Sequence, residues 1–167
     1  MNIKKEQSIQ EFHAGFNEMA DLVLAQLTLI EKLMTGKDKK ENTELLRSLK
    51  NNEKEIDKYE VSMSERFINI IVLYQPVASD IRRFVAMYRM VLNLERIGDL
   101  IMNITHTLET LRETKEYKAM TGVIQNMLLS GRIMVEKSLL SFVNNDADYA
   151  IWTIKNDSVV DEMNQKL

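Results

Sequence analysis

The chain has 167 residues, 45% of them hydrophobic and 28% charged, with only 5 Gly, 1 Pro and no Cys. Its 22 basic residues against 25 acidic ones leave a net charge of -3, so no electrostatic footprint for nucleic acid is visible, and zero Cys removes disulfides, thiolate catalysis and Cys-ligated zinc. No apolar run approaches the ~20 residues of a membrane helix and Met1 to Gln7 lacks the apolar core of a signal peptide, so the expectation is an all-α protein of the cytoplasm without membrane insertion.

From about Gln7 to Met34, the residues Phe12, Phe16, Met19, Val23, Leu27, Ile30 and Met34 fall at helical spacing and predict a first helix, with Gly36 placed to cap its end. Asn42 or Thr43 can cap a second, long helix carrying Leu45, Leu46, Leu49, Ile56, Phe67, Ile70 and Ile71, which Pro76 ends. Ser79 or Asp80 then restarts the chain as a third helix to about Arg112, apolar on more than one side as expected of an element touching two neighbours. A fourth helix is predicted from about Glu116 to Val143, and Asn144-Asn145-Asp146 turns the chain into a fifth.

An internal repeat shows when the two ends are compared. Ile30 to Met34 aligns with Val135 to Leu139, and Asn52 to Asp57 with Asn156 to Asp161, an offset of roughly 105 residues. Residues 1–114 then form one three-helix unit, and 115–167 the first two helices of a second unit whose third helix is missing.

Three acidic pairs stand four residues apart: Glu53/Asp57, Glu95/Asp99 and Asp157/Asp161. On a helix such residues share a face. Spacing alone carries little, because 25 acidic residues in 167 give roughly four such pairs by chance, and the chain has four, Glu109/Glu113 being the other. Placement carries more. Glu95 and Asp99 share their face with Ile81, Phe84, Tyr88, Val91, Leu92 and Met102; Glu53 and Asp57 with Leu46, Leu49, Ile56, Phe67 and Ile71; Asp157 and Asp161 with Ala150, Ile154 and Val160. Burying an unpaired carboxylate costs several kcal/mol. Carboxylate oxygens suit divalent or iron-type metal ions, and two facing helices would bring four of them together. The alternative is that Lys50, Arg89 or Arg96 neutralises them, or that they lie in water at the stripe's edge. His106 lies on the Glu95/Asp99 face and could assist a metal, although a lone histidine is more often structural; Trp152 is expected in the core.

The stretch Gln75-Pro76-Val77-Ala78-Ser79-Asp80-Ile81-Arg82, followed by Asn93-Leu94-Glu95-Arg96-Ile97-Gly98-Asp99 and then Asn103-Ile104, resembles the PhoU family of phosphate-transport regulators. The resemblance runs from about residue 7 to 167 and is strongest from 75 to 104. It implies paired three-helix bundles of which the second is truncated here, with metal ions held by acidic motifs. Glu53, Asp57, Glu95 and Asp99 match the first repeat's motifs, and Asp157 and Asp161 match one from the second. It also implies a regulator, not an enzyme: a cytoplasmic adaptor between the phosphate ABC transporter and a sensor histidine kinase. A homodimer is expected from the Met-rich apolar excess and the incomplete second bundle.

Other readings are a ferritin-like di-metal oxidase, a soluble PhoU-like tail of a sodium/phosphate transporter and a metal-free helical interaction module. The first normally needs Glu-x-x-His pairs on core helices, and none is present.

Overall fold

A computed structural model describes residues 3–165. It contains five helices: α1 (Ile3–Thr35), α2 (Lys39–Tyr74), α3 (Ala78–Leu111), α4 (Lys115–Asn144) and α5 (Ala147–Asn164). The described residues are all-α, as the periodicity predicts. No described helix is long and apolar enough to cross a membrane. The chain divides into two compact units, one made of the residues up to Gln26 with Arg47–Met102, the other of Leu27–Leu46 with the residues from Asn103 onward.

In the first unit, α1 buries Phe12, Phe16, Met19 and Val23; α2 buries Leu49, Ile56, Met63 and Ile70; α3 buries Phe84, Met87, Val91, Leu94 and Ile101. The α1 set, and the α3 set as far as Leu94, alternate between three- and four-residue steps, α3 then steps seven residues to Ile101, and the α2 set repeats every seven residues, the registers that keep one helical stripe turned toward neighbouring helices. Phe12 ties the three together, its ring 6.4 Å from Phe67 and 6.0 Å from Phe84 in an edge-on arrangement. On the outside, Arg66 reaches Glu11 at 2.7 Å and the Tyr59 hydroxyl donates to Glu18 at 2.8 Å. The α2–α3 turn closes with Gln75 in the left-handed region at φ 41° and with Pro76 buried.

The second unit shows where turn chemistry differs from expectation. Asp38, not Asn42 or Thr43, caps α2, its Oδ1 accepting from the Lys40 and Glu41 amides at 2.7 and 3.1 Å. Asn42 is instead buried, and its side-chain amide donates to the Gly36 carbonyl at 3.3 Å; Arg112 donates to the same oxygen at 2.6 Å. Gly36 does follow α1, but without a positive φ. Thr114 caps α4, while Asn145 at φ 53° and the Asp146 cap turn the chain into α5. In the first unit, the expected Ser79 or Asp80 cap gives way to a helix already begun at Ala78, with Asp80 in its first turn.

Glu31 pairs with Arg132 at 2.8 Å, and Lys137 sits over the rings of Tyr149 and Trp152 at 4.5 and 4.7 Å. Trp152 is therefore half-buried under a cation, not sealed in a core. Only Leu139 of α4 is buried and no residue of α5 is, while Ile151 and Ile154 stand 48% and 75% exposed.

Phe12 is fully buried and touches the rings of both Phe67 and Phe84, so Phe12→Ala is expected to lower unfolding stability by about 3–5 kcal/mol through loss of burial and a residual cavity. Urea denaturation followed by circular dichroism measures it; a loss below about 1 kcal/mol would mean that the site collapses around the truncation.

Candidate functional site

The apolar seams of the first unit are interrupted where the helices meet. The α1 seam Phe12, Phe16, Met19, Val23 continues to Gln26; Glu53 falls between Leu49 and Ile56 on α2; Gly98 falls between Leu94 and Ile101 on α3. These three non-apolar residues meet. Gln26 is fully buried, and its Nε2 donates to Glu53 Oε2 at 2.9 Å. A Cβ on Gly98 would lie 3.1 Å from that same carboxylate oxygen and 3.5 Å from Gln26 Oε1. Glycine at 98 thus leaves the room that the carboxylate occupies.

Around this layer the helices add further carboxylates. Burial pushes Glu53 above its ordinary 4.5; the Gln26 hydrogen bond opposes this, whereas a hydrogen bond with the Asp99 carboxyl and the charges of Asp57 and Asp99 add to it. Glu95 is raised by burial and then by the charges of Asp99, Glu60 and Asp57. The sequence-predicted pairs Glu53/Asp57 and Glu95/Asp99 are therefore neighbours across α2 and α3, joined by Glu60. Among the described residues none of the five has a Lys or Arg within ion-pairing reach, and Lys50, Arg89 and Arg96 take no part in such pairs. Glu53 and Glu95 are half-buried, Asp57 and Asp99 exposed.

Asp157 and Asp161 lie exposed on α5, in the second unit. His106 is exposed as well, its Nδ1 3.7 Å from Glu109. Gln26 is the residue that acid spacing does not find; its signal is a polar side chain in the seam register of α1.

Among the described residues no three carboxylate or imidazole groups converge into a ready-made ion cage. The donor set still fits a hard cation: four carboxylates on two facing helices, none neutralised, beside Gln26 Oε1, which is buried without a hydrogen-bond partner. An unsatisfied buried acceptor costs about 1–3 kcal/mol, and a cation or its bound water would relieve both the acceptor and the like charges.

A model of the PhoU domain matches residues 16–108, the stretch that contains this layer and both acidic motifs. The chain belongs to the PhoU domain family. Curated PhoU relatives agree: a phosphate-specific transport system accessory protein PhoU homolog of Aquifex aeolicus is 35% identical over 128 residues, covering 77% of this chain and 58% of the relative. PhoU homolog 1 of Thermotoga maritima is 31% identical over 126 residues, covering 75% of this chain and 54% of the relative. The chain thus spans little more than half the length of these two PhoU relatives. The crystal structure of PhoU from Pseudomonas aeruginosa superposes with a TM-score of 0.87 at 23% identity, covering 96% of this chain and 75% of that one; this likeness establishes the PhoU fold.

Because Glu53 and Glu95 have folded-state values above the unfolded 4.5, the folded protein holds more protons than the unfolded chain just above that pH. Their contribution to stability is present below 4.5 and is lost as pH rises through the raised values. In chelator-treated protein, Glu53→Gln is therefore expected to gain melting temperature relative to wild type as pH rises from 4.5 toward neutrality. Parallel curves for the two proteins across that range would sink the assignment.

Proposed function

We propose that this chain is a metal-binding accessory protein and regulator of phosphate uptake and phosphate-starvation signalling. It acts in the cytoplasm, as an adaptor between a phosphate ABC transporter and a sensor histidine kinase. Membership of the PhoU family supports the phosphate connection, as does the name its curated relatives carry, phosphate-specific transport system accessory protein. The observation that carries the metal reading is the set of un-neutralised carboxylates on α2 and α3, one of which, Glu53, is held by the buried Gln26.

Glu53, Asp57, Glu95 and Asp99 are the proposed ligands of a divalent or iron-type ion. Gln26 orients the Glu53 carboxylate through its amide, and Gly98 keeps the space beside that carboxylate open. The ion supplies the positive charge that no nearby Lys or Arg provides. Asp157 and Asp161 are the proposed ligands that residues 115–167 bring to a second site. Nothing in this role requires catalysis; the ion stiffens the α2–α3 face that a regulator presents to others. A homodimer forms part of the proposal, since α5 buries no residue of its own.

Purified protein supplied with Mn²⁺ or Fe²⁺ is expected to retain metal by elemental analysis, and at about a hundred times the dissociation constant the ion adds roughly 2.7 kcal/mol of stability. Glu95→Ala with Asp99→Ala should lose both the metal and the thermal shift, whereas Asp157→Ala with Asp161→Ala should keep them. Equal metal content in the first double variant and wild type would refute the ligand assignment. For the adaptor role, the chain should co-elute with the purified ATP-binding subunit of a phosphate ABC transporter from the same organism; separate elution at micromolar concentrations would count against it.

A further inference from the structure

We propose that the exposed face of α3 between Ile81 and Arg96 is a docking surface for an acidic, amphipathic helix of a partner protein. The inference rests on the adaptor reading for the existence of a partner and names that partner's chemistry. It does not depend on metal.

Ile81, Val85, Tyr88 and Leu92 follow one another at four-, three- and four-residue steps, so they line one side of α3. Ile81, Val85 and Leu92 are 38%, 38% and 40% exposed. Tyr88 is half-buried and fixed from beneath, stacked on Phe67 with ring centroids 4.4 Å apart and planes within 4°. Before the turn, Ile68 and Val72 of α2 are 57% and 64% exposed. Scattered apolar residues on a surface need no explanation; an ordered seam supported by a stacked aromatic pair is different, because its spacing matches the knobs that a second helix inserts.

Charge decides which helix fits. Arg82, Arg89 and Arg96 recur every seven residues along the edge of this seam, and all three are exposed. Among the described residues none of them has a carboxylate within ion-pairing reach, whereas Arg66 and Arg132 are each paired with a glutamate and Arg112 is bonded to a carbonyl. A seven-residue repeat of like charge flanking an apolar seam is the arrangement by which one helix selects another through opposite flanking charges. Three arginines therefore call for Glu or Asp at seven-residue spacing beside a partner's apolar stripe. An anionic membrane would meet the same arginines, but it would also meet Glu95 and Asp99, which continue this same face of α3. Those carboxylates repel an anionic lipid surface, which meets the whole face, whereas a helix sets its acidic residues along the arginine edge of the seam and needs none opposite Glu95.

The probe is a fluorescent synthetic helix of about 20 residues, long enough to span the seam at 1.5 Å per residue, with Leu at alternating three- and four-residue steps and Glu flanking every seventh position. A second peptide has Lys at the flanks. The full chain is expected to bind the Glu peptide saturably, with affinity falling as salt rises, and roughly tenfold or more tighter than the Lys peptide. Arg82→Glu, Arg89→Glu and Arg96→Glu together should reverse that order. The three sites are exposed, and circular dichroism verifies that the variant folds. Equal binding of both peptides, absence of saturable binding, or Glu-peptide binding that survives the triple variant would each overturn the proposal. So would a wild-type dimer in sedimentation that the triple variant dissociates, which would give the face to a second copy, or capture by phosphatidylserine vesicles that the triple variant loses. If wild type and triple variant co-elute equally with the transporter subunit, this surface fails and the adaptor reading stands; if wild type binds the Glu peptide but never the subunit, the adaptor reading fails instead.

Discussion

A carboxylate set into the seam of a helical bundle is the constraint on which the rest of the first unit depends. Glu53 occupies a position that the α2 register gives to apolar side chains, and a lone charge there is costly. The fold meets this cost locally. Gln26 comes from α1 with a donor, Gly98 leaves room on α3, and burial raises the proton affinity of Glu53 itself. None of these devices neutralises Asp57 and Glu95 as well. Burial and the neighbouring charges raise the proton affinity of Glu53 and Glu95, and the proposed cation would compete with those protons for the layer.

The same geometry separates tasks along α3. Its inner stripe, Phe84, Met87, Val91 and Leu94, is packed against the other two helices of the unit; its outer stripe sets apolar residues beside exposed arginines and then passes to carboxylates. A helix apolar on more than one side reads from sequence as one with two neighbours. In the first unit the inner neighbours are present, and the outer side is left for a partner. The second unit shows a related imbalance, since α5 offers Ile151 and Ile154 to solvent while holding Tyr149 and Trp152 beneath Lys137. Helices that bury so little of themselves gain most of their stability from packing, so α5 is the element most affected by whatever covers it.

Much of this was legible in the residues. Periodicity located the first three helices, because their apolar stripes are long enough to outweigh local propensity, and Pro76 and Asn144-Asn145-Asp146 marked two of the turns. The α2 cap is not legible in the residues: Asp38, Asn42 and Thr43 are all chemically able to cap, and only the path of the chain after Gly36 decides that Asp38 reaches the free amides while Asn42 turns inward to a carbonyl. Glu53, Asp57, Glu95 and Asp99 stood out by their stripes, whereas Gln26 did not, since a polar residue in a seam is ordinary until its neighbours are known. Glu60 went unnoticed because it has no acidic partner four residues away.

Sequence by itself determined the helical class, the positions of the acidic motifs and their family likeness, because these follow from side-chain identity and from spacing along one helix. Tertiary structure alone decided which carboxylates meet, that Gln26 enters their layer with its oxygen unsatisfied, and that no carboxylate among the described residues comes within ion-pairing reach of Arg82, Arg89 and Arg96. The division has a physical cause. Helical periodicity is a property of neighbouring residues on one chain segment, whereas the environment of a charge is set by whatever other segments bring within a few ångströms of it, and Gln26 and Glu53 become neighbours only through packing.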